Sequence, residues 1–246
     1  MKMIRTLLLL TFLMPILALA SESAHMEHVK VDVTDKDALQ KGAKYFFNYC
    51  AGCHSIHFSS YKRIAKDLGL TEQQVEDNFM MSYGDEKKIS NYVTTSMTVK
   101  QGKALFEKAP PDLSTISRAK GDPSWLYSYL TSFYMDESRP FGVNNLVFKN
   151  VGMPHAMIEL QGYMNKVEKD VNGKKVITLE PDPEHPGRMK EAEYKQAVKE
   201  LVTFLAYIGE PSKTARHRLG VWVILFLVVF TIFAYMLKKE YWKDVH

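Results

Sequence analysis

Two cysteines and a histidine within five residues are the side chains of this chain best placed to do chemistry. Residues 50–54 read CAGCH, and the chain has 2 cysteines in all. Two thiols one helical turn apart can form thioethers with the two vinyl groups of one haem, and the adjacent histidine then lies under the iron as its proximal ligand. The spacing therefore predicts one covalent haem c, held by Cys50, Cys53 and His54.

Two other interpretations of the same five residues stay open. A Cys-x-x-Cys pair is also a redox dithiol, which makes an exported thiol-disulfide oxidoreductase the alternative from another class of protein, and it is also half of a zinc site. A thioredoxin-like enzyme needs a strand before the motif, whereas an amphipathic helical pattern precedes it here. Zinc would need further strong ligands, and no other cysteine is available. Haem is therefore the favoured cofactor.

An iron with a histidine on one side needs a sixth ligand, and methionine is a common choice in electron-transfer cytochromes because its thioether favours reduced iron. Met153 stands out among the methionines, since Val151-Gly152-Met153-Pro154 predicts a tight, non-helical backbone that can aim a side chain. His57, His155 and His185 are alternative ligands, so the local sequence leaves the choice open.

The elements around the motif follow from periodicity and capping signals. Apolar residues recur at helical spacing through residues 34–49, which places CAGCH at the C-terminal end of a helix. Asn172-Gly173 is a hairpin turn signal between two alternating segments. The fold class predicted is mainly α, with one small β-hairpin at 166–180. Further helices are expected at 71–80, at 123–133 and at 191–208, and a proline-rich loop at 181–188.

The two apolar ends predict where the chain resides. Residues 1–20 have a basic start, an apolar core and small residues before Ser21, which is typical of a cleaved signal peptide; an uncleaved anchor is the alternative. Residues 219–237 are uncharged and long enough to span a bilayer as a helix. We therefore expect residues 21–218 to be exported, 219–237 to cross the membrane and 238–246 to remain in the cytoplasm.

Composition excludes several classes of protein. Hydrophobic residues make up 46% and charged residues 24%, so a disordered chain is excluded. A net charge of +4 is too small to indicate nucleic-acid binding, which is not expected. A short acidic cluster could steer a basic partner toward the site. Its members are Glu72, Glu76, Asp77, Asp85 and Glu86.

Four sequence blocks in fixed order resemble the cytochrome c1 family, the haem-bearing subunits of the ubiquinol-cytochrome c reductase (bc1) complex. They are CAGCH at 50–54 with Tyr61-Lys62-Arg63 after it, APPDLS at 109–114, VGMPHAMIELQG at 151–162 and GEPSKTARHRLG at 209–220. The resemblance implies that Met153 is the sixth ligand and that Pro111 lies in a loop along the haem edge. It also implies a cation near a haem propionate, for which Arg118 and Lys120 are the candidates. Of the two, Lys120 aligns better with the arginine of the family. Lysine can neutralise a propionate but cannot form two parallel hydrogen bonds to it as arginine does.

The resemblance also implies a function. A member of this family takes electrons from a Rieske iron-sulfur protein and passes them to a soluble or membrane cytochrome c, beside cytochrome b and membrane lipid. It sits in the bacterial cytoplasmic (inner) membrane with its haem domain on the periplasmic side, and no catalytic activity is expected of it alone. A stand-alone membrane-anchored cytochrome c that feeds an oxidase is the alternative within electron transfer.

Overall fold

The computed structural model describes residues 26–80, 87–171 and 174–244, so the predicted signal peptide at 1–20 lies outside the described residues. Helices dominate this part of the chain, as the sequence predicts, and the fold is mainly α. The helices are α1 (Lys36–Tyr45), α2 (Tyr61–Leu68), α3 (Glu72–Phe79), α4 (Val99–Phe106), α5 (Ile116–Ala119), α6 (Pro123–Thr131), α7 (Ile158–Gln161), α8 (Glu191–Gly209) and α9 (Lys213–Tyr241).

The described strands form three antiparallel pairs. They are β1 (Ile56–Ser60) with β2 (Tyr92–Val93), β3 (Phe133–Met135) with β4 (Val143–Asn145), and β5 (Gly162–Val171) with β6 (Lys174–Pro186). The last pair is the predicted hairpin, and its turn residues 172–173 lie outside the described part.

The hairpin is longer than the sequence predicts. Residues 181–188 were expected to form a proline-rich loop, but β6 runs through Pro186, with Met164 opposite Pro181 and Gly162 opposite Pro186. That expectation was wrong because proline is compatible with a strand whose outer edge has no partner, and a two-stranded sheet has only such strands. The expected helix at 123–133 is also too long, since α6 ends at Thr131 and Phe133 begins β3.

The main contact between helices is made by α1 and α8, which lie far apart in the sequence. The helices touch at Gly42, where an added Cβ would lie only 2.8 Å from Cβ of Phe204. Phe46 continues this contact, with its ring centroid 5.8 Å from that of Phe204. Because Phe46 and Phe204 are both fully buried, the segment that leads into residues 50–54 is fixed in the core.

Side-chain caps mark the starts of α3 and α6. Asp122 accepts a bond from the Ser124 amide at the start of α6, and Pro123 follows at the first helical position. Thr71 and Gln74 form the predicted reciprocal capping box at α3. These local bonds set the direction in which each helix enters the core.

Helix α9 is long and apolar enough to cross a membrane over Ala215–Tyr241, and none of that segment is buried in the protein. It contains the predicted span at 219–237 and extends beyond it at both ends. Among the described residues this is the one helix with these properties. At about 1.5 Å per residue it is roughly 40 Å long, which exceeds a hydrocarbon core of about 30 Å.

Candidate functional site

The CAGCH segment lies at the C-terminal end of a helix, as predicted, but the last turn before it is wider than an α-helix. Helix α1 passes into a π-helical turn at Phe46–Cys50, in which the Ala51 amide bonds to the Phe46 carbonyl at 3.0 Å. The chain then tightens, because the Cys53 and His54 amides both bond to the Cys50 carbonyl, at 3.0 and 2.8 Å. π-Helical turns are frequent at functional sites. This turn brings both thiols and the imidazole together beyond the helix end.

The surroundings of both cysteines disfavour the thiolate form. Cys50 is 9% exposed, whereas Cys53 is half-buried. Burial, with a smaller contribution from the charge of Cys53, raises the pKa of the Cys50 thiol to about 12. Burial also raises the pKa of Cys53. A catalytic dithiol needs a lowered pKa, so these thiols lack what a thiol-disulfide oxidoreductase uses.

The His54 imidazole is held in one tautomer by a backbone carbonyl. Its Nδ1 lies 2.8 Å from the Pro111 carbonyl oxygen. A carbonyl only accepts hydrogen bonds, so Nδ1 carries the proton and Nε2 keeps its lone pair. Burial lowers the pKa of His54, opposed by the Pro111 bond and by the charge of Asp112. A neutral imidazole with its other nitrogen bonded in this way is the usual form of a metal-binding histidine.

Hydrogen bonds tie the CAGCH turn to two other segments. The Leu113 amide donates to the Ser55 carbonyl at 2.8 Å, and the Thr95 amide donates to the Ser55 hydroxyl at 2.9 Å. The Thr95 hydroxyl in turn donates to the Gly52 carbonyl at 2.7 Å. The loop that contains Pro111 is therefore bonded directly to the predicted haem motif. This geometry agrees with the expectation that the loop forms a wall of the site.

Met153 lies in the non-helical segment that the sequence predicts. Its side chain is half-buried, and its sulfur accepts a hydrogen bond from the Tyr129 hydroxyl at 3.3 Å. The preceding Gly152 faces the C-terminal end of α4, where an added Cβ would lie 3.9 Å from the Phe106 carbonyl oxygen.

Helix α4 also contacts the segment just before Pro111, because a Cβ on Gly102 would lie 2.7 Å from Cδ of Pro110. The Met153 loop and the Pro111 loop are therefore both packed on α4.

The three alternative histidine ligands have other partners. His155 is buried, its Nε2 lies 2.7 Å from the Gln161 side-chain oxygen, and its ring stacks on another aromatic ring. His57 lies over Tyr92 on the β1–β2 pair. His185 stacks on Tyr163 and pairs with Asp182 in the hairpin. Met153 also has a partner in the Tyr129 hydroxyl, so these contacts do not decide the sixth ligand, and the role of Met153 stays a prediction.

The structure separates the two candidate propionate partners. Lys120 Nζ lies 4.6 Å from the centroid of the Trp125 ring, and that ring stacks on Tyr129 at 5.2 Å. Tyr129 is the residue that bonds Met153, so Lys120 belongs to the Met153 side of the molecule. Arg118 instead packs near Gly209, where an added Cβ would lie 3.6 Å from its Cγ. The arrangement favours Lys120, while both assignments stay predictions.

Tyr129 is a site residue that sequence reasoning missed. The aromatic residues at 125, 129 and 133 recur every four positions, which predicts a core helix, and burial agrees with that interpretation. Periodicity carries no information on what a buried hydroxyl bonds. The usable signal was that a buried tyrosine hydroxyl needs a partner.

The donor set fits a haem c. The thiols of Cys50 and Cys53 and the imidazole of His54 lie in one turn. The thioether of Met153 lies in a loop that packs on α4, and α4 also contacts the Pro111 loop that bonds His54. Within residues 26–80, 87–171 and 174–244, no group of three His, Cys, Asp or Glu side chains could hold a metal ion, so the zinc alternative gains no support.

The acidic residues Glu72 and Asp77 are exposed in or near α3, whereas Asp85 and Glu86 lie outside the described residues.

Comparison with known proteins agrees with this chemistry. The model of the cytochrome C1 family matches residues 26–245. The chain belongs to the cytochrome c1 family. Membership implies a haem c cofactor and a role as a haem electron-transfer subunit of the bc1 complex. Among the described residues, α9 is the helix that could anchor such a subunit in the membrane.

Two relatives align along nearly their whole length. The chain is 42% identical to cytochrome c1 of Allochromatium vinosum, over 98% of this chain and 100% of that protein. It is 38% identical to a protein of Nitrosomonas europaea named ammonia monooxygenase gamma subunit, over 100% of both chains. Cytochrome c1 of Rhodospirillum rubrum is 26% identical over 86% of this chain and 83% of that protein.

Proposed function

We propose that this chain takes electrons from a Rieske iron-sulfur protein and passes them to a cytochrome c, through one haem c bound to Cys50 and Cys53. The observation that carries the proposal is the 2.8 Å bond between His54 Nδ1 and the Pro111 carbonyl, because it leaves Nε2 free to bind iron. When bound, the haem supplies a one-electron couple. In this proposal quinol oxidation belongs to other subunits.

The protein's part in this function is to keep the ligands still. His54 is fixed by a carbonyl from a loop stiffened by Pro110 and Pro111, whose φ angles are restrained by their rings. Met153 sits between a buried Val151 and Pro154, and its sulfur is bonded to Tyr129. Ligands held in this way need little rearrangement when the iron changes its oxidation state.

The location follows from the two ends of the chain. A signal peptide at 1–20 places the haem domain, residues 21–218, on the periplasmic side of the bacterial inner membrane. The span at 219–237 then leaves residues 238–246 in the cytoplasm. The span would lie beside cytochrome b and membrane lipid. A fusion of alkaline phosphatase, which is active only after export, to residue 210 should be active, whereas a fusion to residue 246 should be inactive.

The ligands are tested by spectroscopy of the protein purified from membranes. We expect a reduced-minus-oxidised spectrum with the narrow band of low-spin haem c, and loss of low-spin character in Met153→Leu. Met157→Leu is the matched control, because Met157 is a fully buried core methionine four residues away. A Met153→Leu protein with an unchanged spectrum would move the sixth ligand elsewhere. Absence of any haem band would restore the dithiol alternative.

The partners are tested by affinity purification of a tagged chain. Recovery of cytochrome b and a Rieske protein in constant ratio supports the reductase assembly. Recovery of the chain alone, with rapid electron delivery to an oxidase, would favour a stand-alone membrane-anchored cytochrome. Because one relative is named as an ammonia monooxygenase subunit, co-purification with monooxygenase subunits is a third outcome, and it would contradict the proposed partners.

A further inference from the structure

We infer that Tyr129 is a positioning residue for Met153, and that its hydroxyl holds the thioether sulfur and raises the reduction potential of the haem. The inference rests on the proposed function, since it requires Met153 to be the sixth ligand. It adds to that function a residue outside the CAGCH and VGMP segments. It also predicts a property that a purely structural tyrosine would not affect.

The contact itself is well defined. The Tyr129 hydroxyl oxygen lies 3.3 Å from the Met153 sulfur, within the range of a hydrogen bond to sulfur. Tyr129 is 8% exposed, so water competes little for the hydroxyl. Burial also raises the pKa of this phenol above its usual value, so it remains protonated and able to donate.

The Tyr129 ring cannot easily turn away from the sulfur. One side stacks on Trp125, with centroids 5.2 Å apart and ring planes 7° from parallel. The ring also meets Phe133 edge-on at 5.2 Å. The Tyr129 carbonyl accepts a bond from the fully buried Asn145 side chain at 2.7 Å. Its backbone and ring are thus both fixed, and the direction of its hydroxyl follows from them.

Met153 needs such a partner more than a branched side chain would. Methionine is unbranched and has three rotatable bonds, so it adopts many conformations unless its surroundings select one. Met153 is only half-buried, so packing alone leaves several side-chain conformations open to it. A hydrogen bond from a fixed ring selects the conformations in which the sulfur faces Tyr129. The entropic cost of binding iron is reduced accordingly.

The sign of the effect on potential follows from the electrons of sulfur. A thioether sulfur has two lone pairs, so one can bind iron while the other accepts a hydrogen bond from the Tyr129 hydroxyl. The hydrogen bond withdraws electron density from sulfur and makes it a weaker donor. When the ligand donates less electron density, oxidised iron loses more stabilisation than reduced iron does, so the reduction potential rises. Hydrogen bonds to the ligands are an established means by which proteins tune haem potentials.

The test is a redox titration of Tyr129→Phe in the full-length, haem-loaded protein in its complex. Phenylalanine keeps the ring and its stacking and removes only the hydroxyl. A neutral hydrogen bond acting on one oxidation state should change the ratio of reduced to oxidised haem about fivefold at a fixed potential. For a one-electron couple this lowers the midpoint by about 40 mV. Haem content should be unchanged.

Tyr207→Phe is the matched control, since Tyr207 is also buried and its hydroxyl bonds the Asp67 carboxylate at 2.7 Å. Its midpoint should equal that of the wild type. An unchanged midpoint in Tyr129→Phe, with Met153→Leu altered, overturns the inference and leaves the ligand assignment intact. An unaltered spectrum and midpoint in Met153→Leu overturns both. A nuclear Overhauser contact between the Tyr129 hydroxyl proton and the Met153 methyl in the reduced wild type should also be present, and its absence counts against the inference.

Discussion

Replacement of Gly42 by alanine should weaken the haem domain at the contact of α1 with α8. In the native fold an added Cβ would overlap the Glu200 carbonyl oxygen, and it would lie 2.7 Å from the Glu200 carbonyl carbon. Two of these atoms belong to backbone, so no side-chain rotation relieves the overlap. The helices must separate, or α8 must bend. Either change disturbs the packing of Phe46 on Phe204 directly beside the π-helical turn.

The size of the effect is the difference of two contributions. Overpacking a close-packed core costs about 1–3 kcal/mol, and an overlap with backbone belongs at the upper end of that range. Replacing glycine by alanine inside a helix returns about 1 kcal/mol of helix propensity. The net loss of unfolding free energy is therefore about 2 kcal/mol. For a domain of this size, that lowers the melting temperature by about 4–8 °C.

The assay is thermal unfolding of the purified protein in detergent, followed by circular dichroism and by the haem absorbance. Lys44→Ala is the control, because Lys44 is exposed on the same helix. Its melting temperature should stay within about 2 °C of the wild type, as expected for a surface change within about 0.5 kcal/mol. A Gly42→Ala protein that melts at or above the wild-type temperature would refute the argument, since helix propensity alone would then decide the outcome.

Two further substitutions test local structure. Asp122→Ala should cost about 1 kcal/mol of unfolding free energy at neutral pH through loss of the α6 cap. Because bonds from Ser124 lower the pKa of Asp122, the charge-dependent part of its contribution is present above pH 3.8 and is lost as the pH falls below it, so the difference between variant and wild type should narrow in acid denaturation. Asp122→Asn has no charge to lose, so its cap should not change with pH. Gly162→Ala should disrupt the start of the hairpin, because φ there is 82° and a Cβ would lie 2.8 Å from the His185 carbonyl oxygen. Proteolysis within 162–186 should become faster, and a variant as resistant as the wild type would contradict the expected strain.

The elements that were predicted correctly are those with strong local signals. Periodic apolar residues located α1 and α8, and the capping residues Thr71 and Gln74 located α3, each to within a few residues. Helix α2 was not predicted, although Ser60 caps it, apolar residues follow at helical spacing and Gly69 ends it with φ at 72°. Its shortness hid the periodicity, because eight residues make barely two turns. The hairpin was predicted from its turn, but its length depends on pairing across the strands and not on the proline-rich sequence of β6.

The donor residues of the site are predictions from the sequence, whereas the contacts that support them are seen only in the structure. The types and order of Cys50, Cys53, His54 and Met153 are local facts that sequence displays. The bond from His54 to Pro111 joins residues 57 positions apart, and the bond from Tyr129 to Met153 joins residues 24 apart. No local pattern encodes such pairs. The π-helical turn was missed for a similar reason, since its widened ring depends on the fit of Phe46 against α8.

The pairing of α1 with α8 sets an order of events during biosynthesis. Gly42 and Glu200 are about 160 residues apart, so at about 5–20 residues per second the second helix is made roughly 10–30 s after the first. Until α8 is made, the core that α1 and α8 form together is incomplete, and Cys50 ends the π-helical turn that follows α1. In the folded domain Cys50 is 9% exposed, and burial raises the pKa of its thiol to about 12. A reaction that needs an accessible Cys50 thiol is therefore expected before the core closes, and the anchor that follows α8 is the last segment to be made.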